Sequence, residues 1–111
     1  MFPGVDPKVV AECRGMAETW APVLRGIANP DRLLIVLWLA GTSSTVRELE
    51  TVTGLRQSLV SYHLKALRDA GLVTVTAVGR ANSYRLANPQ LDRLADLLGS
   101  ADISRPRQGR P

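Results

Sequence analysis

One segment constrains the fold more than any other, because it holds two helical patterns separated by a tight turn that contains a glycine. The first pattern covers residues 46–52. Thr45 and Glu48 have the spacing of a capping box, which pairs otherwise free N–H groups at a helix start. Gly54 suits the left-handed position that ends a helix, and the second pattern then runs over about residues 56–70. Two helices joined by so tight a turn predict a helix-turn-helix motif.

The residues that follow this motif predict a β-hairpin. Residues 73–77 and 83–86 alternate between apolar and polar side chains, and residues 78–82 between them have the composition of a turn. Residues 42–45, ahead of the motif, are interpreted as a polar loop. We therefore expect a mainly α fold with a small β-hairpin (α+β), namely a winged helix-turn-helix with five to six helices and a two-stranded wing.

Three helices are predicted before the motif and one after it. Residues 7–20 and 21–28 have helical apolar spacing, but Pro22 predicts two short segments rather than one helix. Residues 31–40 are apolar nearly all round, which is typical of a helix at the centre of a core. The last helix begins at residue 89, after an asparagine that suits its start.

Positive charge is concentrated in one stretch of the chain. The formal net charge is +4 at pH 7, and residues 55–85 hold five Lys or Arg against one Asp, so the rest of residues 1–99 is net negative. The outward arc of the second motif helix carries no acid before Asp69, whereas a solvated face usually includes glutamates. It carries instead the side-chain types that contact bases and phosphates in a major groove.

This pattern predicts double-stranded DNA as the partner. The second motif helix reads the groove, and the hairpin arginines contact the backbone or an adjacent minor groove. The predicted DNA-binding residues are Arg56, Gln57, Ser58, Ser61, Tyr62, Lys65, Arg68, Arg80 and Arg85. The plainer interpretations are a solvated helix face and a charged turn that keeps an edge strand from aggregating.

Apolar stripes on the first and last helices exceed what one small core can cover, which predicts a homodimer. The predicted interface residues are Val9, Cys13, Met16, Trp20, Leu91, Leu94 and Leu98. Residues 1–99 are expected to form one DNA-binding and dimerisation domain. Residues 100–111 form a basic C-terminal tail without apolar periodicity and are expected to be disordered. The tail's arginines either add phosphate contacts or belong to a solvated end.

The composition excludes several classes of protein. The first residues lack a basic and an apolar region, so we expect no signal peptide. The longest apolar run, residues 33–40, is far shorter than the ~20 residues needed to cross a bilayer. No nucleophile–base pair, phosphate loop or carboxylate dyad points to an enzyme. These features predict a cytoplasmic protein without membrane contact.

Residues 24–33 (LRGIANPDRL) and residues 57–73 (QSLVSYHLKALRDAGLV) match motifs of a known family of regulators. The first segment resembles the L-x-x-L-A-D-P-T-R-L of the ArsR/SmtB family, and the second resembles its recognition helix, Q-S-x-V-S-x-H-L-x-x-L-x-x-A-G-L-V. Residues 79–80 and 84–86 resemble the G-R and Y-x-L of its wing. The resemblance covers about residues 23–98. It implies a homodimer joined through its first and last helices, which binds a pseudo-palindromic operator, often as a repressor.

The metal sites of that family are not matched here. The family's arsenic- or lead-type site has cysteines in the segment that corresponds to residues 48–53, which contain none here. Its zinc-type site has histidines beside acids on the last helix, where this chain has only the acids Asp92 and Asp96. Transition metals prefer thiolate or imidazole ligands. The chain has one Cys and one His, so we expect no cofactor and leave the effector unknown.

Two alternative functions stay open. One is a metal-responsive regulator, for nickel or zinc, with a non-standard site built from Asp6, Cys13, Asp92 or Asp96. The other is a winged helix used as a protein-interaction module. The lack of acids on the second motif helix counts against this second alternative. His63 is predicted to be a packed, hydrogen-bonded structural histidine. Cys13 is predicted to be a small core residue rather than a redox sensor.

Overall fold

The computed structural model describes residues 4–100, in five helices and a three-stranded sheet. The elements in chain order are α1 (Pro7–Ile27), α2 (Pro30–Leu39), β1 (Ser44–Thr45), α3 (Val46–Thr53), α4 (Gln57–Asp69), β2 (Val73–Val78), β3 (Ala81–Leu86) and α5 (Pro89–Ser100). This is the winged helix-turn-helix order that the sequence predicts, with α3 and α4 as the motif and β2 and β3 as the wing. The predicted basic tail lies outside the described residues apart from Ser100, so its predicted disorder stays a prediction.

The first helix corrects the prediction of two short segments. α1 is one helix of 21 residues that begins after the Asp6 cap and contains Pro22 in its interior. Pro22 lacks the N–H for one helical hydrogen bond, but Trp20, Val23 and Ile27 on either side of it pack against the core. This tertiary packing outweighs the local penalty, which is why a local pattern predicts the break wrongly.

Local signals position the two motif helices. Thr45 Oγ1 accepts a hydrogen bond from the Glu48 N–H (3.2 Å), and Glu48 Oε1 accepts one from the Thr45 N–H (3.1 Å), so the predicted capping box is present. Gly54 ends α3 with a φ of 73°, a left-handed conformation that glycine adopts without a steric penalty. These two devices set where α3 begins and ends, and therefore where α4 can start.

The sheet has one strand more than predicted. β1, taken from the sequence as part of a loop, pairs antiparallel with β3 through Ser44 opposite Tyr84 and Thr45 opposite Ser83. Two residues are too few to show an alternating pattern, and the pairing partner lies about forty positions away. The wing strands are also longer than predicted, because only Gly79 and Arg80 connect them. Gly79 has a φ of 61° at the first turn position, where a type II′ hairpin turn places glycine.

Core packing centres on α2, although not on all of its faces. Ile35, Val36 and Leu39 are fully buried, as the apolar pattern predicts, whereas Leu34 and Trp38 are 37% and 47% exposed. The core is completed by Leu49 of α3, by Val60, Leu64 and Leu67 of α4, and by Leu72, Val73, Leu86 and Leu91. In the part of the chain that the structure describes, no helix is both long and apolar enough to span a membrane.

Candidate nucleic-acid interface

The recognition helix α4 has one buried face and one exposed face. Val60, Leu64 and Leu67 point into the core with at most 1% exposure, which confirms the predicted inward arc. Every residue predicted to contact DNA from this segment is exposed: Arg56, Gln57, Ser58, Ser61, Tyr62, Lys65 and Arg68. α4 has no side-chain cap at its N-terminus, and the N–H groups of Gln57 and Ser58 form no hydrogen bond within residues 4–100, so these two groups can bind phosphate oxygens.

The ion pair between Lys65 and Asp69 on this face is weak. Lys65 Nζ lies 2.8 Å from Asp69 Oδ2, one turn away, and both side chains are mostly exposed. An exposed i,i+4 pair contributes only about 0.3–0.5 kcal/mol. Lys65 can therefore exchange this carboxylate for a DNA phosphate at little cost. Asp69 is the last residue of α4, so the face is free of acids along the rest of the helix.

The two arginines predicted to bind DNA from the wing lie at its opposite ends. Arg80 is exposed in the two-residue turn at the tip. Arg85 is exposed near the end of β3, where its Nε donates to Thr74 Oγ1 (3.4 Å). It borders a surface cavity of about 410 Å³ together with Gly41 and Asp92, between the α2–β1 connection and α5. Arg80 thus lies at the free end of the wing, and Arg85 lies at the end that joins the body of the protein.

A groove between α3, α4 and the wing contains polar residues that sequence reasoning missed. This groove has a volume of about 460 Å³. Its lining residues are Thr45, Val46, Arg47, Glu50, Gln57, Ala81 and Asn82. Arg47 and Glu50 stand three residues apart on the face of α3 away from buried Leu49, a spacing visible in the sequence. Their meeting with Gln57 and Asn82 depends on how the wing folds back.

His63 packs between the recognition helix and α2. The side chain is buried, as predicted, with its Nε2 3.9 Å from Asp31 Oδ2 at the start of α2. This distance is beyond hydrogen-bonding range, so the predicted hydrogen bond is not formed and the two side chains are only close neighbours. Its Nδ1 is also buried and has no hydrogen-bond partner among residues 4–100. The Tyr62 ring meets the imidazole edge to face, with ring centres 5.4 Å apart.

A second surface, formed by α1 and α5, is apolar. Val9, Met16 and Leu98, all predicted for a dimer interface, are 43–57% exposed. Cys13 is exposed as well, so its prediction as a core residue is wrong for a single protomer. Trp20 and Leu94 are half-buried against the core and border an apolar cavity of about 360 Å³ with Leu24 and Leu97. Sequence reasoning missed these last two, which are 48% and 68% exposed.

Leu91 does not belong to this surface. It is 2% exposed and packs inside its own protomer, so its assignment to the dimer interface is wrong. The helical stripe places Leu91 beside Leu94, and only the packing of α5 shows that the two residues face different neighbours.

The residues named for a non-standard metal site do not assemble in one protomer. Within residues 4–100, no three His, Cys, Asp or Glu side chains lie together as a metal ion requires. Asp92 is half-buried, and its Oδ1 accepts a hydrogen bond from the Gly41 N–H (3.0 Å). The metal-responsive alternative and the predicted lack of a cofactor both stay predictions.

A helix-turn-helix with an exposed polar recognition helix and a hairpin wing defines the winged helix-turn-helix class of proteins. The sequence model described as "bacterial regulatory protein, arsR family" matches residues 29–75. The HTH-type transcriptional repressor SmtB of Mycobacterium tuberculosis is 39% identical over 90 residues, which cover 81% of this chain and 62% of the repressor. The HTH-type transcriptional regulator YgaV of Escherichia coli is 33% identical over 86 residues, which cover 77% of this chain and 87% of the regulator. The chain belongs to the arsR family.

Solved structures agree with this assignment. The homodimeric winged helix-turn-helix DNA-binding domain of Mb0332 from Mycobacterium bovis, described as a possible ArsR-family regulator, superposes with a TM-score of 0.67 at 30% identity. The match covers 88% of this chain and 87% of that one. The relatives named here are regulators and not enzymes, in line with the absence of an enzymatic motif from the sequence.

Proposed function

We propose that this protein is a sequence-specific, double-stranded DNA-binding transcriptional regulator that works in the cytoplasm as a homodimer on a pseudo-palindromic operator. The observation that carries the proposal is the exposed face of α4, which has polar and basic side chains and no acid before Asp69. Arg80 at the wing tip and the uncapped N-terminus of α4 supply further phosphate-binding groups. Relatives named as repressors support repression as the outcome of binding.

The exposed apolar surface of α1 and α5 supports the homodimer. Contiguous apolar surface on a monomer commonly marks an interaction site. In a dimer with twofold symmetry, each protomer covers the same apolar surface of the other. The dimer then has two recognition helices. Two recognition helices held one helical turn of DNA apart read two half-sites, which is why the operator is expected to be pseudo-palindromic.

The test separates base reading from phosphate binding. Gln57→Ala is expected to cost roughly 1–3 kcal/mol of affinity for the selected operator and little for random DNA, because it removes a base contact. Arg80→Ala is expected to weaken binding to both DNAs. It also flattens the dependence of log affinity on log salt by about one unit for each phosphate per duplex that the variant no longer neutralises.

Binding isotherms across a salt series, on an operator selected from random duplexes, measure both effects. Arg14→Ala is the matched control, since Arg14 is exposed on α1, away from α4 and the wing. Circular dichroism checks that the variants are folded. If neither Gln57→Ala nor Arg80→Ala changed either affinity, this face would not bind DNA, and the protein-interaction module would become the better interpretation.

A further inference from the structure

The groove between α3, α4 and the wing holds one acid that the proposed DNA-reading function does not explain. Three acids occur in residues 45–85. Glu48 is held by the α3 capping box and Asp69 by Lys65. The third, Glu50, is half-buried in the groove, and no residue in the described range 4–100 forms a hydrogen bond or ion pair with its carboxylate.

The neighbours of Glu50 place its carboxylate among DNA-reading groups. Gln57, the first residue of the recognition helix, lines the same groove, as does Asn82 at the start of the returning wing strand. Arg47 lines it from one turn earlier on α3, and the two side chains are not within ion-pair distance. A duplex that reaches Gln57 therefore brings its grooves and phosphates next to an unneutralised carboxylate.

A carboxylate in this position has two opposite effects on binding. Next to phosphates or to the acceptor atoms of a base, the carboxylate is repelled and loses its hydration, which lowers the affinity for that duplex. Next to the exocyclic amino group of cytosine it accepts a hydrogen bond, and the penalty is offset. An unpaired charge that punishes wrong partners is a general means of obtaining specificity.

We propose that Glu50 is a specificity-determining residue, which accepts a hydrogen bond from a cytosine amino group in each half-site and rejects duplexes that lack it. The inference rests on the proposed DNA-binding function and adds a base-reading residue from α3 to those of α4. Arg47, which lines the same groove, is available to bind a phosphate. Specificity is then divided between Gln57, which acts by attraction, and Glu50, which acts largely by exclusion.

Selection of binding sites from random duplexes tests this, with wild-type protein, Glu50→Gln, Glu50→Ala and Glu18→Gln in parallel. Glu18 is exposed on α1, so Glu18→Gln makes the same change of charge away from the groove. Glu50→Gln is expected to bind random DNA more tightly and to lower the ratio of operator to random-DNA affinity about tenfold. At one position of each half-site its preference changes from cytosine toward adenine, the base with which an amide side chain pairs. Glu50→Ala loses the preference at that position without gaining another.

The outcomes separate this inference from the function beneath it. If wild-type protein selected no sequence at all, the proposed function would fail and this inference with it. If wild-type protein selected a clear operator and both Glu50 variants kept its base preferences and affinity ratio, the role of Glu50 alone would be overturned. The same holds if Glu18→Gln changed the ratio as much as Glu50→Gln, because the effect would then be one of total charge.

Discussion

At the scale of single residues, the orientation of the recognition helix depends on a few side chains on its inner face. His63 is the polar member of this face, and its contact with Asp31 joins the middle of α4 to the first turn of α2. The imidazole is buried between the two helices, so it stabilises their contact by packing. Its neighbours on the outer face contact solvent and are free to change without disturbing the core.

His63→Ala is therefore expected to lower the free energy of unfolding by about 2–3 kcal/mol, because it leaves a cavity between α2 and α4 and removes the contact with Asp31. Lys65→Ala, two residues later on the exposed face, is expected to change it by no more than about 0.5 kcal/mol. Urea denaturation followed by circular dichroism measures both. Equal effects of the two substitutions would show that His63 has no special structural role.

At the scale of elements, α1 combines two regions with different surroundings. Residues 7–19 are exposed throughout, whereas the last two turns lie against the core and end at buried Ile27. The two glycines of the helix reflect this division. A Cβ atom at Gly15 would meet nothing within 4 Å, whereas one at Gly26 would lie 3.0 Å from Leu72 Cδ1. Gly15 only weakens the helix, and Gly26 allows α1 to approach the residues after α4 closely.

Gly15→Ala is accordingly expected to raise the free energy of unfolding by roughly 0.5–1 kcal/mol, since alanine loses less backbone entropy in a helix interior. Gly26→Ala gains the same helix propensity, but the added Cβ must displace the buried Leu72 side chain. Its net effect on the free energy of unfolding is therefore expected to be a smaller increase or a decrease. Thermal melts of the two variants at equal protein concentration provide the comparison. A larger gain at Gly26 than at Gly15 would contradict this account of the close approach.

At the scale of the whole molecule, the proposed homodimer follows from where apolar surface remains exposed. One protomer leaves Met16 on α1 57% exposed and Leu97 on α5 68% exposed, and Leu97 borders an apolar cavity between those two helices. Neither side chain packs against the core. Burying them against a second copy also fixes the distance between two recognition helices, so assembly and operator reading are coupled.

Met16→Glu and Leu97→Glu are each expected to weaken dimer formation at least about tenfold, because each places an unpaired charge in an apolar interface. Val78→Glu is the matched control, since Val78 is 60% exposed on the wing and not on α1 or α5. Sedimentation at micromolar concentration should show a dimer for wild-type protein and Val78→Glu and a shift toward monomer for the other two. A wild-type monomer that bound its operator tightly would contradict the homodimer.

The sequence by itself determined the features that depend on neighbours within one or two turns. The capping box of Thr45 and Glu48, the left-handed Gly54 and the inward arc of α4 were all predictable, because each is encoded by residues at most seven positions apart. The same patterns separated the exposed face of α4 from its buried face, and with it most of the candidate DNA-binding residues.

Only the tertiary structure decided the features that depend on distant partners. β1 exists because Ser44 meets Tyr84, α1 stays continuous through Pro22 because its last turns pack on the core, and Leu91 is internal because of the angle at which α5 docks. The groove that brings Glu50 to Asn82 of the wing is of the same kind. Side chains that meet across tens of positions leave no periodic trace in the sequence, since their contact is set by the packing of whole elements.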